Sequence, residues 1–162
     1  MIILVINCGS SSIKYQLLDM KNDDVYDIIA KGIAEKIGLP AGILQYAPTG
    51  RDKIVKDIPI PDHKVGMELI LAALTDPETG VLSSLEDIEA VGHRIVQGGD
   101  FFSGSVLVDD DVLARGRLHQ SCRLRSHGYR APGPRRSVAL LPDGRFQGPG
   151  RGGGRDSRSG RE

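Results

Sequence analysis

Within eight residues near its start the chain carries an asparagine, a glycine, three consecutive serines and a lysine: Asn7-Cys-Gly-Ser-Ser-Ser-Ile-Lys14. A phosphate group is held by backbone N–H groups turned toward it, by hydroxyl donors and by a nearby cation. Gly9 offers the unusual φ that turns amides outward, Ser10, Ser11 and Ser12 offer hydroxyls, and Lys14 offers charge. The segment is not a Walker A loop. It lacks Gly-Lys-Ser/Thr, and a strand rather than a helix is expected after it. The competing reading of the same residues is an ordinary polar hairpin.

A second candidate is Val91-Gly-His-Arg-Ile-Val-Gln-Gly-Gly99, a basic pair inside a strand that ends at two glycines. Such a strand can place Arg94 on the floor of a cleft. A guanidinium fork there suits a carboxylate or a phosphate, because it grips two oxygens at once. The alternative is an arginine in a structural ion pair. His93 is either a base or a satisfied structural histidine.

Other chemistry-bearing residues have weaker surroundings. Asp109-Asp-Asp111 reads as metal ligands or, more simply, as acids at the start of a helix. His119 and His127 have no Cys/His set around them, so no zinc site is assigned. Cys8 is either a reactive thiol or a small buried residue at a strand end.

The elements that must position these groups follow from hydrophobic periodicity. Residues 2–6 are continuously apolar, as in a strand buried on both faces. Residues 13–18 resume as a second strand, with Ile13, Tyr15 and Leu17 on one face and Lys14 and Gln16 on the other. A third strand is expected at 25–37, and residues 42–47 and 53–60 flank Pro48-Thr-Gly-Arg51 as a hairpin. Asp62 caps a helix over 63–74, and Thr75-Asp-Pro-Glu-Thr-Gly80 stops it. A short helix at 84–89, a strand at 90–96 and a helix starting over 109–114 complete the pattern.

Composition divides the 162 residues in two. Residues 1–114 hold nine basic and eighteen acidic side chains; residues 115–162 hold twelve arginines, no lysine and three acids, so the formal charge of zero is a sum of opposites. Ten of the 21 glycines and four of the nine prolines fall in that second part, which is read as disordered, with 138–141 the one stretch able to pack locally. Its Arg/Gly content resembles a nucleic-acid-binding arm, but it has one Phe, one Tyr and no repeated unit, so nucleic acid is not the expected partner. No run of about 18 apolar residues occurs, which excludes a membrane-spanning helix. With two cysteines and no basic leader, a cytoplasmic setting is expected.

At these motifs the sequence resembles the acetate kinase (acetokinase) family. Leu4-Val-Ile-Asn-Cys-Gly-Ser-Ser-Ser-Ile-Lys-Tyr-Gln-Leu17 resembles the family's opening, and Asp62-His-Lys, Glu68-Leu-Ile-Leu71, Ala73-Leu-Thr-Asp-Pro77 and Ala90-Val-Gly-His-Arg94 follow in the family's order and spacing. The resemblance covers residues 1 to about 115. It implies an α/β fold, the N-terminal lobe of the actin/hexokinase-like (ribonuclease H-like) two-lobed kinases, and reversible phosphoryl transfer from ATP to acetate with Mg²⁺. By motif match Asn7 sits at the Mg²⁺ site, Lys14 binds ATP, Ser10 and Ser12 line the phosphate loop, and Arg94 binds the acetate carboxylate. A full-length member is expected to be a homodimer.

Two departures stand out. Gln97-Gly-Gly-Asp100 replaces the family's His-Gly-Gly-Glu, and glutamine cannot carry a proton. Beyond residue 115 the family's Leu-His-Asn-Pro segment, essential aspartate, second histidine and arginine, and second lobe are not recognisable. His119 and Asp143 do not stand in those surroundings, so no catalytic residue is assigned. The expectation is an incomplete and inactive lobe whose residues 116–162 are a frameshifted reading of a GC-rich gene. The alternative is a nucleotide-binding lobe with a basic nucleic-acid-binding tail.

Overall fold

A computed structural model describes residues 1–22, 25–94, 106–107, 109, 111–112 and 136–140. Its elements are β1 (Ile2–Cys8), β2 (Ser12–Met20), β3 (Tyr26–Glu35), β4 (Ile43–Pro48), β5 (Ile54–Asp57), α1 (His63–Leu74), a 3₁₀ turn (Leu85–Asp87), β6 (Ala90–Arg94), β7 (Val106–Leu107) and β8 (Arg136–Leu140). Among the described residues the strands form one mixed sheet in the order β5-β4-β3-β2-β1-β6-β8-β7.

β1 runs antiparallel to β2 and parallel to β6, so it is central, and its apolar run meets protein on both faces. Ile3 is 3% exposed and Leu4 2%, though they point to opposite sides. β2, β3, β4 and β5 continue as an antiparallel meander. Register places Ile13 beside Ala34, Tyr15 beside Gly32 and Leu17 beside Ala30, so one face of β2 and β3 is apolar throughout.

Helix α1 covers that face. Its residues Ile70, Leu71 and Leu74 are buried with Leu4, Ile6, Ile13, Tyr15 and Leu17 in one core. Burying each such Ile or Leu contributes about 1.5–3 kcal/mol. The Asp62 carboxylate accepts from the Val65 N–H at 2.8 Å, as the sequence anticipates. Gly66 lets the helix approach closely: a Cβ there would lie 3.2 Å from Ile13 Cδ1.

Several boundaries differ from the sequence reading. The third strand ends at Glu35, not Ile37, because Lys36 takes φ 60° and Gly38 φ 83° and the chain turns. The strand expected at 53–60 is only Ile54–Asp57, since Ile58 already donates to the Gly42 carbonyl and Pro59 and Pro61 have no N–H. The helix expected at 84–89 is a single 3₁₀ turn capped by Ser84. Within the tail read as disordered, β8 lies parallel to β6 and antiparallel to β7. It falls on the Ser-Val-Ala-Leu run, the tail's one apolar stretch. The continuation of the 90–96 strand past Arg94, and the Gly98-Gly99 break, lie outside the described residues.

Candidate functional site

The site is built where β1 ends and β2 begins. Asn7 pairs with Lys14 and Cys8 with Ile13, leaving Gly9, Ser10 and Ser11 as the connecting loop. Three hydrogen bonds fix it. The Gly9 N–H donates to the Ser12 carbonyl at 2.7 Å, the Ile37 N–H donates to the Ser11 carbonyl at 3.0 Å, and the Gly9 carbonyl lies 2.7 Å from His63 Nε2. Ser10 and Ser11 are exposed, and their backbone N–H groups donate to no described residue.

One expectation needs correction. Gly9 does not adopt a positive φ; among described glycines only Gly38 and Gly50 do. A Cβ there would meet Ser12 Oγ at 3.2 Å, a tight contact that a small shift of the hydroxyl relieves.

Alternation and register put the candidate residues on one face. Asn7 and Lys14 are a direct cross-strand pair, so their side chains share a side of the sheet. Val5 pairs with Gly92 across β1 and β6, and two residues further along each strand lie Asn7 and Arg94, again on that side. Arg94, Asn7 and Lys14 therefore form a row across β6, β1 and β2. With strands about 4.8 Å apart, the row spans about 10 Å at the backbone. Lys14 and Arg94 are exposed and make no ion pair with a described residue; Asn7 is half-buried. Ser12 lies on the same side as Lys14, at the loop end of β2.

From this row the open face continues as a concave surface of about 510 Å³, edged by Asn7, Lys14, Gln16, Lys31, Gln45 and Lys53. Among the described residues, three lysines and no carboxylate line it. It does not include Ser10, Ser12 or Arg94, which stand beyond its rim.

His93 points the other way. It pairs with Ile6 and shares the helix-covered face, so it does not join Arg94. Its Nδ1–H donates to the Arg94 carbonyl at 3.0 Å, and burial holds its pKa below the usual value of 6.5. One ring nitrogen is thus engaged within its own strand, and the ring lies away from the candidate row. Cys8 is half-buried beside Ile13 with its thiol pKa pushed up by burial, which opposes the thiolate and reactivity. The Asp109 carboxylate accepts from the Val112 N–H at 2.8 Å, a capping role, and among the described residues no acidic, His or Cys cluster suits a metal. Gln97, Asp100, His119, His127 and Asp143 lie outside the described residues.

Sequence reasoning gave His63, Lys31 and Lys53 no part. His63 was visible only as a letter in Asp62-His-Lys, with nothing local to connect it to Gly9. No helix among the described residues is long and apolar enough to cross a membrane.

Comparison with known proteins gives a consistent result. The model of the Acetokinase family matches residues 2–121. The acetate kinase of Natranaerobius thermophilus is 50% identical over 111 residues, 68% of this chain and 27% of that protein. The acetate kinase of Moorella thermoacetica is 53% identical over 107 residues, 66% of this chain and 26% of that protein. Among solved structures, Porphyromonas gingivalis acetate kinase superposes with a TM-score of 0.75 at 37% identity, covering 86% of this chain and 37% of that one. A propionate kinase from Francisella tularensis gives 0.63 at 29% identity, covering 86% and 36%. The chain thus spans about 27% of the length of the curated relatives. Its architecture is that of the N-terminal domain of acetate and propionate kinases, the actin/hexokinase-like fold anticipated from the motifs.

Proposed function

The chain belongs to the acetokinase family, and on that premise we propose that it supplies the phosphate-binding lobe of an enzyme transferring a phosphoryl group reversibly from ATP to acetate. The products are acetyl phosphate and ADP. The supporting observation is the row Arg94–Asn7–Lys14 beside a serine loop with two N–H groups that donate to no described residue. The hydroxyls of Ser10 and Ser12 and the loop amides bind phosphate oxygens, and Lys14 offsets their charge. Arg94 grips the acetate carboxylate with its fork. Phosphoryl transfer asks little covalent chemistry of a protein; it asks for alignment and charge neutralisation, which these groups offer.

The described residues offer part of a Mg²⁺ site. Asn7 would contribute one neutral amide oxygen, with water and substrate phosphate supplying most of the rest; the carboxylate that ordinarily completes a Mg²⁺ site is absent from the adjoining surface among the described residues and would have to come from elsewhere. Held there, the ion would neutralise phosphate oxygens. A homodimeric assembly and a cytoplasmic setting belong to the same proposal.

By itself the 162-residue chain binds donor and acceptor without turnover, because alignment and exclusion of water need groups facing this surface. Residues 116–162 supply none of these groups, and we read the stretch beyond the family match, which ends at residue 121, as an out-of-frame translation. Sequencing the locus across codons 111–122 tests that: a one-base difference followed by a long open frame supports it, and an unchanged sequence removes it. The site is tested with the fluorescent nucleotide mant-ATP and Mg²⁺. Lys14→Ala weakens binding about tenfold or more, as expected for a charge-assisted contact. Arg94→Ala leaves nucleotide affinity alone but abolishes protection of the site by acetate. Nucleotide binding indifferent to Lys14 would overturn the assignment.

A further inference from the structure

Helix α1 begins with His63, whose ring reaches a loop lying 54 residues earlier in the chain. Nε2 is 2.7 Å from the Gly9 carbonyl oxygen. A carbonyl only accepts, so Nε2 carries the proton and donates. In many four-residue turns the first carbonyl accepts from the fourth N–H. Here, among the described residues, no backbone N–H donates to the Gly9 carbonyl; the imidazole of another element takes that place.

The consequence concerns the next amide. No cis peptide occurs among the described residues, and in a planar trans unit C=O and N–H point in opposite directions. Holding the Gly9 oxygen toward α1 therefore turns the Ser10 N–H away from α1 and into solvent. The Asp62 cap fixes the first helical turn from which His63 projects, and the Ile37 bond to the Ser11 carbonyl holds the loop's far side.

We propose that His63 is a positioning residue: by gripping the Gly9 carbonyl it sets the plane of the Gly9–Ser10 peptide and presents the Ser10 N–H to a phosphate. This rests on the phosphate-loop reading above. What is required is an Nε2–H of suitable reach. Glutamine supplies one, and alanine does not.

The test compares the whole chain with His63→Ala and His63→Gln, reading the ¹⁵N order parameters of Ser10 and Ser11, mant-ATP affinity with Mg²⁺, and melting temperature. His63→Ala lowers the loop order parameters and weakens mant-ATP about fivefold, the loss of one neutral hydrogen bond. His63→Gln restores both, and ¹⁵N shifts show the wild-type ring protonated at Nε2. Unchanged loop order and affinity in His63→Ala overturn the proposal. So do equal losses in both variants that merely track melting temperature. If the wild-type chain fails to bind mant-ATP, the phosphate reading fails by itself, and the order parameters still decide whether His63 holds the peptide.

Discussion

Gly32→Ala should be the most damaging single-methyl addition in the sheet. Gly32 on β3 is in direct register with Tyr15 on β2 and Tyr46 on β4, and both tyrosines are 2% exposed. A Cβ at Gly32 would press into the Gln45 carbonyl oxygen and the Tyr15 hydroxyl, with Tyr15 Cζ at 2.5 Å. The Tyr15 hydroxyl donates to that same Gln45 oxygen at 3.3 Å, so the obstacles are joined and cannot part independently. Overpacking typically costs about 1–3 kcal/mol when side chains can yield. Here one obstacle is backbone and a hydrogen bond worth about 1 kcal/mol is also lost, which brings the cost to about 3–4 kcal/mol. For an ordered body of this size, that lowers the melting temperature by about 12–30 °C. Urea and thermal melts followed by circular dichroism measure it. The double variant with Tyr15→Phe removes the hydroxyl but neither Cζ nor the Gln45 oxygen, so it recovers less than about 1 kcal/mol. Gly50→Ala is the control: nothing lies within 4 Å, and its φ of +76° alone costs about 1–2 kcal/mol. A Gly32→Ala chain less destabilised than Gly50→Ala would refute the packing argument.

Two further outcomes follow from the helix start and the buried imidazole. Asp62→Ala removes the acceptor of the Val65 N–H and costs about 1 kcal/mol in urea unfolding, while Asp62→Asn retains the cap; equal midpoints for all three chains would show the cap to be idle. His93 has its pKa lowered chiefly by burial, the Arg94 carbonyl opposing. The folded state thus binds a proton less readily than the unfolded one. Its stability is full above pH 6.5 and falls as pH drops below that value toward the folded pKa. Urea midpoints plotted against pH show this decline in the wild type and lose it in His93→Gln; an unaltered slope in the variant sinks the assignment.

What was legible in the sequence depended on distance along the chain. β1, β2 and α1 were readable because strict alternation, an apolar run and an N-cap aspartate are local signals; the structure keeps α1 to the residue and extends β1 to Cys8 and β2 to Ser12–Met20. Asn7, Ser10, Ser12 and Lys14 were readable together because they occupy one hairpin. Arg94 was not readable as their neighbour from local pattern; only the parallel pairing of β1 with β6 brings it there. Gly9 shows the opposite difficulty: its residue type suggested an unusual φ, whereas the loop closes on it without a positive φ.

The non-local contacts also bear on where the proposed phosphate site lies. Asn7 and Arg94 lie near the carboxyl ends of two adjacent parallel strands, β1 and β6. In open α/β sheets ligands gather outside such ends. Here the chain leaving β1 returns at once as β2, so the loop at that end is a hairpin rather than a helix entrance. A hairpin has no helix macrodipole to offer an anion. Its amides must be aimed by something else, and a lysine must supply the charge. Lys14 does the second from the strand that returns. The first falls to contacts from outside the hairpin, the Ile37 amide and the His63 ring. Added to the loop's own Gly9 N–H bond to the Ser12 carbonyl, those contacts from neighbouring elements aim a loop of small polar residues as the proposed phosphate site on an antiparallel hairpin requires.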